Sequence, residues 1–273
     1  MTNTSQTVFL VGTGVEKGAW PPIARAIKDV SATAQIDPNS NRVADESAFW
    51  LAQHVLQFRL LYSPDFAARL AAQELQNAQK EHARLDAALK QAIARHLDDA
   101  VKSGELKLRD RFRATFNDYA AWGPTIVFTS NWDRLLEVHR PDGSPTESFL
   151  RIHGDTEDPA TMLLPSEISG EPWRTQEHRE HKGQVLGTIW QRIGDANFLC
   201  IYGLSLDPLD AELAYMVRMG ISEAKSLQEI IVFNLPQERE RLLGRVRMLA
   251  DGRNVPIRFV DTSKPRPPGS GRF

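Results

Sequence analysis

Several short stretches of this chain are apolar without interruption, among them Ile126-Val127-Phe128, Phe198-Leu199-Cys200-Ile201 and Ile230-Ile231-Val232-Phe233. A strand with one face in water alternates apolar and polar side chains; a short run that does not alternate reads as buried on both faces. The inner strands of a parallel sheet covered by helices meet that requirement. These runs belong to segments 125–130, 197–203 and 228–234, and segments 7–12, 147–152 and 256–260 also have strand character, which makes six in all. Helical patterns such as 210–219 and 237–249 lie between them. The expected fold is α/β, a doubly wound, mostly parallel, six-stranded Rossmann-like sheet.

Residues 44–120 break this rhythm. Ser63 followed by Pro64 reads as a helix start, and Gly104 as a stop. Between them Leu85, Leu89, Ile93, Leu97 and Val101 recur every fourth residue and make one apolar stripe. An unbroken helix here would have about 40 residues and reach roughly 60 Å, so either a break or projection as an oligomer surface is expected. The division expected is a Rossmann-like domain of residues 1–43 and 121–273, with 44–120 a helical insertion between the first two strands. The tail, 262–273, contains Pro265, Pro267, Pro268, Gly269 and Gly271 and is expected to be irregular.

Bulk properties narrow the function classes. Lys plus Arg number 33 and Asp plus Glu 35, a formal charge of −2 that gives no reason to expect nucleic-acid or membrane binding. A single cysteine, Cys200, excludes an intrachain disulfide and a multi-cysteine zinc site. Its place in an apolar run makes it a buried, inert core thiol. No apolar run approaches the roughly 18 residues of a membrane span. The first six residues lack the basic-then-apolar order of a signal peptide, so a cytoplasmic protein is expected.

Chemistry-bearing residues cluster where strands end, the edge that lines the ligand crevice of an open parallel sheet. Gly12-Thr13-Gly14 follows the first strand and precedes a helix expected from Ile23 to Val30, so backbone amides could approach a pyrophosphate there. The dehydrogenase pattern G-x-G-x-x-G fails because Gly18 is one position late, and a plain strand-to-helix turn accounts for the glycines equally well. Asn131 and Asp133 flank Trp132 just past the second strand; Asn131 can orient water or a ribose hydroxyl and Asp133 can accept from a carboxamide, or Ser130 or Asn131 simply caps the helix containing Leu135-Leu136-Glu137. His153, in Ile152-His153-Gly154-Asp155, is a natural general base or a structural histidine. The other histidines (His54, His82, His96, His139, His178 and His181) read as solvated, and His178 with His181 lacks a third ligand for zinc. Gly203-Leu204-Ser205-Leu206-Asp207 lacks the last glycine of a nucleophile elbow and suits a backbone-rich contact to phosphate or ribose. Asn234 ends the fifth strand on the same edge.

Together and in this order, these segments resemble the sirtuin superfamily, more closely its bacterial sirtuin-like NAD hydrolases than its protein deacylases. Val11 to Val15 resembles the family's first glycine motif, Thr129 to Asp133 its T-x-N-x-D motif, and His153-Gly154 its H-G motif. Gly203 to Asp207 is similar to the G-x-S-x-x-D loop of the bacterial branch, and Phe233-Asn234 to its ribose-touching Asn. Leu163-Leu164-Pro165-Ser166-Glu167 sits where that branch has a short apolar-acidic segment. The resemblance covers residues 7 to 260 apart from the helical insertion. It departs at Glu16, where many members have Ser, at Trp20-Pro21-Pro22, where an F-R pair is usual, and in the absence of the four zinc cysteines of the deacylases.

The resemblance implies NAD as substrate, with hydrolysis to nicotinamide and ADP-ribose. His153 would be the catalytic base, Asn131 would position ribose or water, and Asp133 would bind the nicotinamide carboxamide. Gly12, Thr13 and Gly14 would hold the phosphates, and Gly203, Ser205 and Asn234 the ribose and phosphate side. No metal is implied. In that branch the activity often serves antiphage defence by depleting NAD, under restraint by a partner or a ligand; a homo-oligomer or a regulatory protein partner is expected. Two alternatives stay open: a sirtuin-type deacylase or ADP-ribosyl transferase, and a module that senses NAD or ADP-ribose without turnover.

Overall fold

The computed structural model of the chain describes residues 6–138, 149–207 and 210–264. Its elements begin with β1 (Thr7–Val11), β2 (Glu16–Lys17), α1 (Trp20–Val30), α2 (Val43–Leu60), α3 (Pro64–Ala67), α4 (Ala72–Ser103), β3 (Lys107–Leu108) and α5 (Asp110–Ala120). They continue with β4 (Thr125–Thr129), α6 (Leu135–Val138), β5 (Phe149–Arg151), α7 (Gln176–Gly194), β6 (Phe198–Tyr202), α8 (Ala211–Glu223), β7 (Glu229–Asn234), α9 (Arg239–Leu249) and β8 (Ile257–Asp261).

Six of these strands form one sheet in the order β5-β4-β1-β6-β7-β8, and every neighbouring pair is parallel. Counted along the chain within this sheet, the order is 3-2-1-4-5-6, that of the Rossmann fold. All six expected strands are present, trimmed by a residue or two; residues 147 and 148 of the third lie outside the described residues, as do His139 and tail residues 265–273. The uninterrupted apolar runs have the stated cause. Phe9, Val11, Val127, Cys200, Tyr202, Ile231 and Phe233 face one helical layer, while Val8, Leu10, Phe128, Leu199, Ile201, Ile230 and Val232 face the other.

The second layer is α7, α8 and α9, which contribute Ile189, Val217 and Val246 among others. The first is α1 together with the helices of 43–120. Phe112, Phe116 and Tyr119 of α5 meet Phe9 edge-on at ring-centroid distances of 5.5–6.3 Å. The helical segment thus covers one face of the sheet and shares its core. Cys200 is buried there, and burial pushes its thiol up.

The long helix is broken. Pro64 opens α3 where Ser63-Pro64 called for a start, but the chain leaves the helix over 68–71 and re-enters as α4, where Glu74 accepts the Ala71 N–H at 3.1 Å. Gly104 ends α4 with φ 73°, a left-handed stop suited to glycine. Leu89, Ile93 and Leu97 of the stripe are buried, with Leu85 and Val101 at its margins. One element had no sequence signal: a two-stranded antiparallel ribbon pairing β2 with β3.

Candidate functional site

Between β1 and β6 the strand order reverses, and connections on either side leave toward opposite faces. Loops beyond the carboxyl ends of those strands part and leave a crevice. A cavity of about 270 Å³ lies there, lined by Gly12 and Thr13 after β1, Ser130 to Asp133 after β4, His153 after β5 and Gly203 to Asp207 after β6. Ala48 of α2, Leu97 of α4 and the segment Leu163 to Glu167 complete the wall.

The glycines let two of these loops touch. Gly12 N–H donates to the Tyr202 carbonyl at 3.0 Å, and Gly14 N–H to the Gly203 carbonyl at 3.0 Å. A Cβ on Gly14 would stand 2.4 Å from the Gly203 Cα, and Gly203 itself has φ 58°. Gly14 is thus turned to the neighbouring loop and does not line the cavity, whereas Gly12 and Thr13 do. The glycine turn leads into β2, not directly into a helix. In the first turn of α1, Trp20 and Ile23 reach the cavity, but Pro21 and Pro22 carry no N–H, so this helix start offers an anion fewer donors than usual.

Asn131, Asp133 and Glu16 form a buried polar cluster with exposures of 3%, 5% and 2%. Asn131 Nδ2 donates to Glu16 Oε1 in a short hydrogen bond. Asp133 Oδ1 accepts the Leu135 N–H at 2.9 Å, so the backbone at the start of α6 is met by Asp133 and not by Ser130 or Asn131, and the Asp133 carboxyl lies beside that of Glu16. Burial, then the charge of Asp133, raises the Glu16 carboxyl well above the usual carboxylate range, and burial raises Asp133 as well. Two carboxyls this close in a dry site do not both ionise, so the pair keeps one proton. Three polar atoms of the cluster have no partner: Glu16 Oε2, Asn131 Oδ1 and the neighbouring Trp132 Nε1. Two acceptors and a donor are thus left unsatisfied on side chains that line the cavity.

His153 is held at both ring nitrogens. Nε2 is 2.8 Å from Asp210 Oδ2, and Nδ1 is 3.2 Å from Lys182 Nζ, which also donates to the Ile152 carbonyl at 2.6 Å. Asp210 stands just before α8 and lines the cavity with His153. Burial works against ionised Asp210, yet His153 and Lys182 beside it hold its carboxyl below the usual range. Burial pushes the Lys182 ammonium down to about 8.

The 163–167 wall is tied to α4 by charge. Lys90 reaches Asp86 at 2.8 Å and Glu167 at 3.1 Å, and Arg174 reaches Glu167 at 2.6 Å. Glu167 also accepts from the Leu164 N–H and the Trp173 indole. His54 joins this network through Asp86 at 3.3 Å and is buried, which corrects its reading as a solvated histidine: the carboxylate satisfies the ring inside the core. Among the described residues, two other than glycine have positive φ, Ser166 (72°) and Leu206 (48°), and both line the cavity. Such backbone costs of order 1–3 kcal/mol and collects at ligand sites.

Of the residues read from sequence, the cavity gathers Gly12, Thr13, Asn131, Asp133, His153, Gly203 and Ser205. Gly14 and Asn234 lie outside its lining; Asn234 Oδ1 accepts the N–H of Leu235. Sequence reasoning missed Asp210 and Lys182 as partners of His153, and Glu16 as the partner of Asn131. The one signal available was Asp210 standing before a helix, which reads as a cap. Among the described residues no three His, Cys, Asp or Glu side chains are grouped to hold a metal ion, and no helix is long and apolar enough to cross a membrane. Neither a scan against protein-family models nor a search of curated proteins finds a match to the chain.

Proposed function

We propose that this protein is a sirtuin-like NAD hydrolase that cleaves the nicotinamide–ribose bond to give nicotinamide and ADP-ribose. One observation carries the reading: residues from four strand ends, set far apart in sequence, converge on one cavity at the switch point of a Rossmann-ordered sheet. The cavity fits part of a dinucleotide better than the whole, since its 270 Å³ lies just below the roughly 300–1,000 Å³ of small-molecule sites. The unpartnered atoms suit a primary carboxamide, whose N–H groups would satisfy Glu16 Oε2 and Asn131 Oδ1 and whose oxygen would accept from Trp132 Nε1. Trp20, Ile23, Leu97, Leu163 and Leu164 supply apolar walls for a flat ring.

Breaking this bond builds positive charge on the ribose as the pyridinium becomes neutral. The buried Glu16–Asp133 pair, with one proton for two carboxyls, retains negative charge close to the reacting end. Asn131 orients the ribose or the attacking water. The His153–Asp210 pair takes the proton of that water, and the backbone of Gly12, Thr13 and the Gly203–Asp207 loop faces the phosphates. An enzyme that depletes NAD needs restraint, so a regulatory partner or ligand, and a role in antiphage defence, belong to the proposal.

The test is nicotinamide release from NAD by the purified protein, with and without an acetylated peptide. His153→Ala and Asn131→Ala should each lower turnover by on the order of 10²–10⁴. Parental rates in both variants, with the fold intact, would remove the reading. A second reading, a sensor of NAD or ADP-ribose without turnover, is favoured by Glu16 occupying the Asn131 amide. Saturable NAD binding without nicotinamide release would select it.

A further inference from the structure

Lys182 is not on the wall of the large cavity. It sits behind His153 on α7, 6% exposed, where it borders a second void of about 20 Å³ together with Arg151, Arg174, His178 and His181. Four-carbon side chains with a charged end are rarely so buried unless the charge is matched. The match here is the Ile152 carbonyl at 2.6 Å and His153 Nδ1 at 3.2 Å.

An ammonium has three hydrogens and no lone pair, so toward Nδ1 it can only donate. Nδ1 must then be the ring's acceptor, and the ring proton of neutral His153 resides on Nε2, aimed at Asp210 Oδ2. While Lys182 keeps its charge, Nδ1 has no room for a proton. Nε2 already carries one.

We propose that Lys182 is a positioning residue that, with Asp210, holds His153 as the Nε2–H tautomer with an accepting Nδ1, so that the Asp210 carboxylate, and not the imidazole, receives the proton of the attacking water. The second half rests on the hydrolase reading; the first does not. In the step, a water O–H bond breaks and its electron pair stays on the oxygen that bonds to the ribose carbon. The proton goes to Asp210, and the pair of the carbon–nitrogen bond leaves with nicotinamide. His153 holds the carboxylate in line through Nε2–H.

The lock has an alkaline limit. Asp210 and Glu212 from the start of α8, and Glu167 from the cavity wall, favour the ammonium; Arg174 opposes it, and burial opposes it most. Arg151 on β5 and His178 and His181 on α7 face the same small void. The ammonium therefore gives way near pH 8. A neutral amine no longer demands an accepting Nδ1, so the Nε2–H bond to the Asp210 carboxylate is left alone to hold the ring. The ring is then free to turn about that bond, and Asp210 loses its fixed line to the water.

The experiment is nitrogen-15 NMR of the His153 ring in the full chain, paired with pH–rate profiles for NAD, in the parent, Lys182→Met and Lys182→Arg. The expected parent spectrum at pH 7 shows Nε2–H with a hydrogen-bonded, accepting Nδ1, whose resonance moves to that of a free acceptor as pH rises past about 8. Lys182→Met should show the free-acceptor resonance already at pH 7, and lose on the order of 10²-fold in kcat with KM little changed. Lys182→Arg, whose charge persists, should restore the Nδ1 hydrogen bond and move the alkaline limb upward. An Nδ1–H tautomer in the parent near pH 7, or an unchanged Nδ1 resonance and alkaline limb in Lys182→Met, would overturn the proposal. The spectrum needs no substrate: the stated tautomer without NAD turnover removes the hydrolase reading and the Asp210 step with it, but leaves the lock.

Discussion

Replacing Asn131 by Ala should destabilise the protein through Glu16. The Asn131 amide is the donor to Glu16 Oε1, and Glu16 Oε2 has no partner, so its loss leaves a buried carboxyl with neither oxygen satisfied by this amide. Stranding such a group costs about 1–3 kcal/mol. For a chain of this size that is a fall in Tm of roughly 2–4 °C per kcal/mol, or about 2–12 °C in all. Glu16→Gln mimics the protonated acid, keeps an acceptor for Asn131 and offers its own NH₂ to Asp133. The cost of Asn131→Ala should therefore shrink in the Glu16→Gln background, giving a coupling of about 1 kcal/mol in a double-mutant cycle. Thermal or urea melts of the four proteins measure it. A coupling below roughly 0.3 kcal/mol would refute the argument, because residues that share a buried hydrogen bond cannot be that independent.

The pH dependence of stability tests the same pair. Glu16 holds its proton well above the ordinary glutamate value of 4.5, so its contribution is fully present below about that pH and is lost as pH rises toward the folded-state value. The Tm of the parent should accordingly fall relative to that of Glu16→Gln as pH rises from 4.5, and parallel curves would contradict this. Gly203→Ala should lower the urea midpoint by the equivalent of about 3 kcal/mol: the left-handed backbone costs ~1–2 kcal/mol and the new Cβ meets immobile Gly14 backbone. A loss under roughly 1 kcal/mol would mean that the two loops can part. Asp133→Asn should be milder than Asp133→Ala in both Tm and nicotinamide release, because the amide oxygen can still accept the Leu135 N–H. Equal effects would show that charge alone matters there.

The sheet was readable because its strands are buried on both faces, which leaves Ile126-Val127-Phe128 and its counterparts no alternation to confuse with a helix. Strand order was not readable, since it depends on which way each connection turns. The covering role of 43–120 was hidden for a different reason. α2 buries Leu51, Val55 and Phe58 yet exposes Phe49, Leu56 and Leu60, so its composition marks no single inward face. Within the site, Gly12, Asn131, Asp133, His153 and Ser205 stood out as polar or glycine residues just past strands. Asp210 and Lys182 did not, and Glu16 stood out only as a departure from the family pattern, because each takes its meaning from a partner 57, 29 or 115 residues away. His54 was misread on the same ground: its carboxylate is 32 residues distant.

The charged ladder from Asp86 through Lys90 and Glu167 to Arg174 restricts how this molecule can change. Its four members alternate in sign and all are buried, so each is balanced only while its neighbours remain. Removing one strands a charge at about 3–5 kcal/mol, a large share of the roughly 5–15 kcal/mol that holds a domain folded, whereas exchanging a whole set for apolar residues is near neutral. Single substitutions along the ladder are therefore dead ends. A route to a different cavity wall has to alter α4 and residues 162–174 in concert, so these two segments, joined by Lys90 and Glu167 across 77 positions, constitute one unit of design.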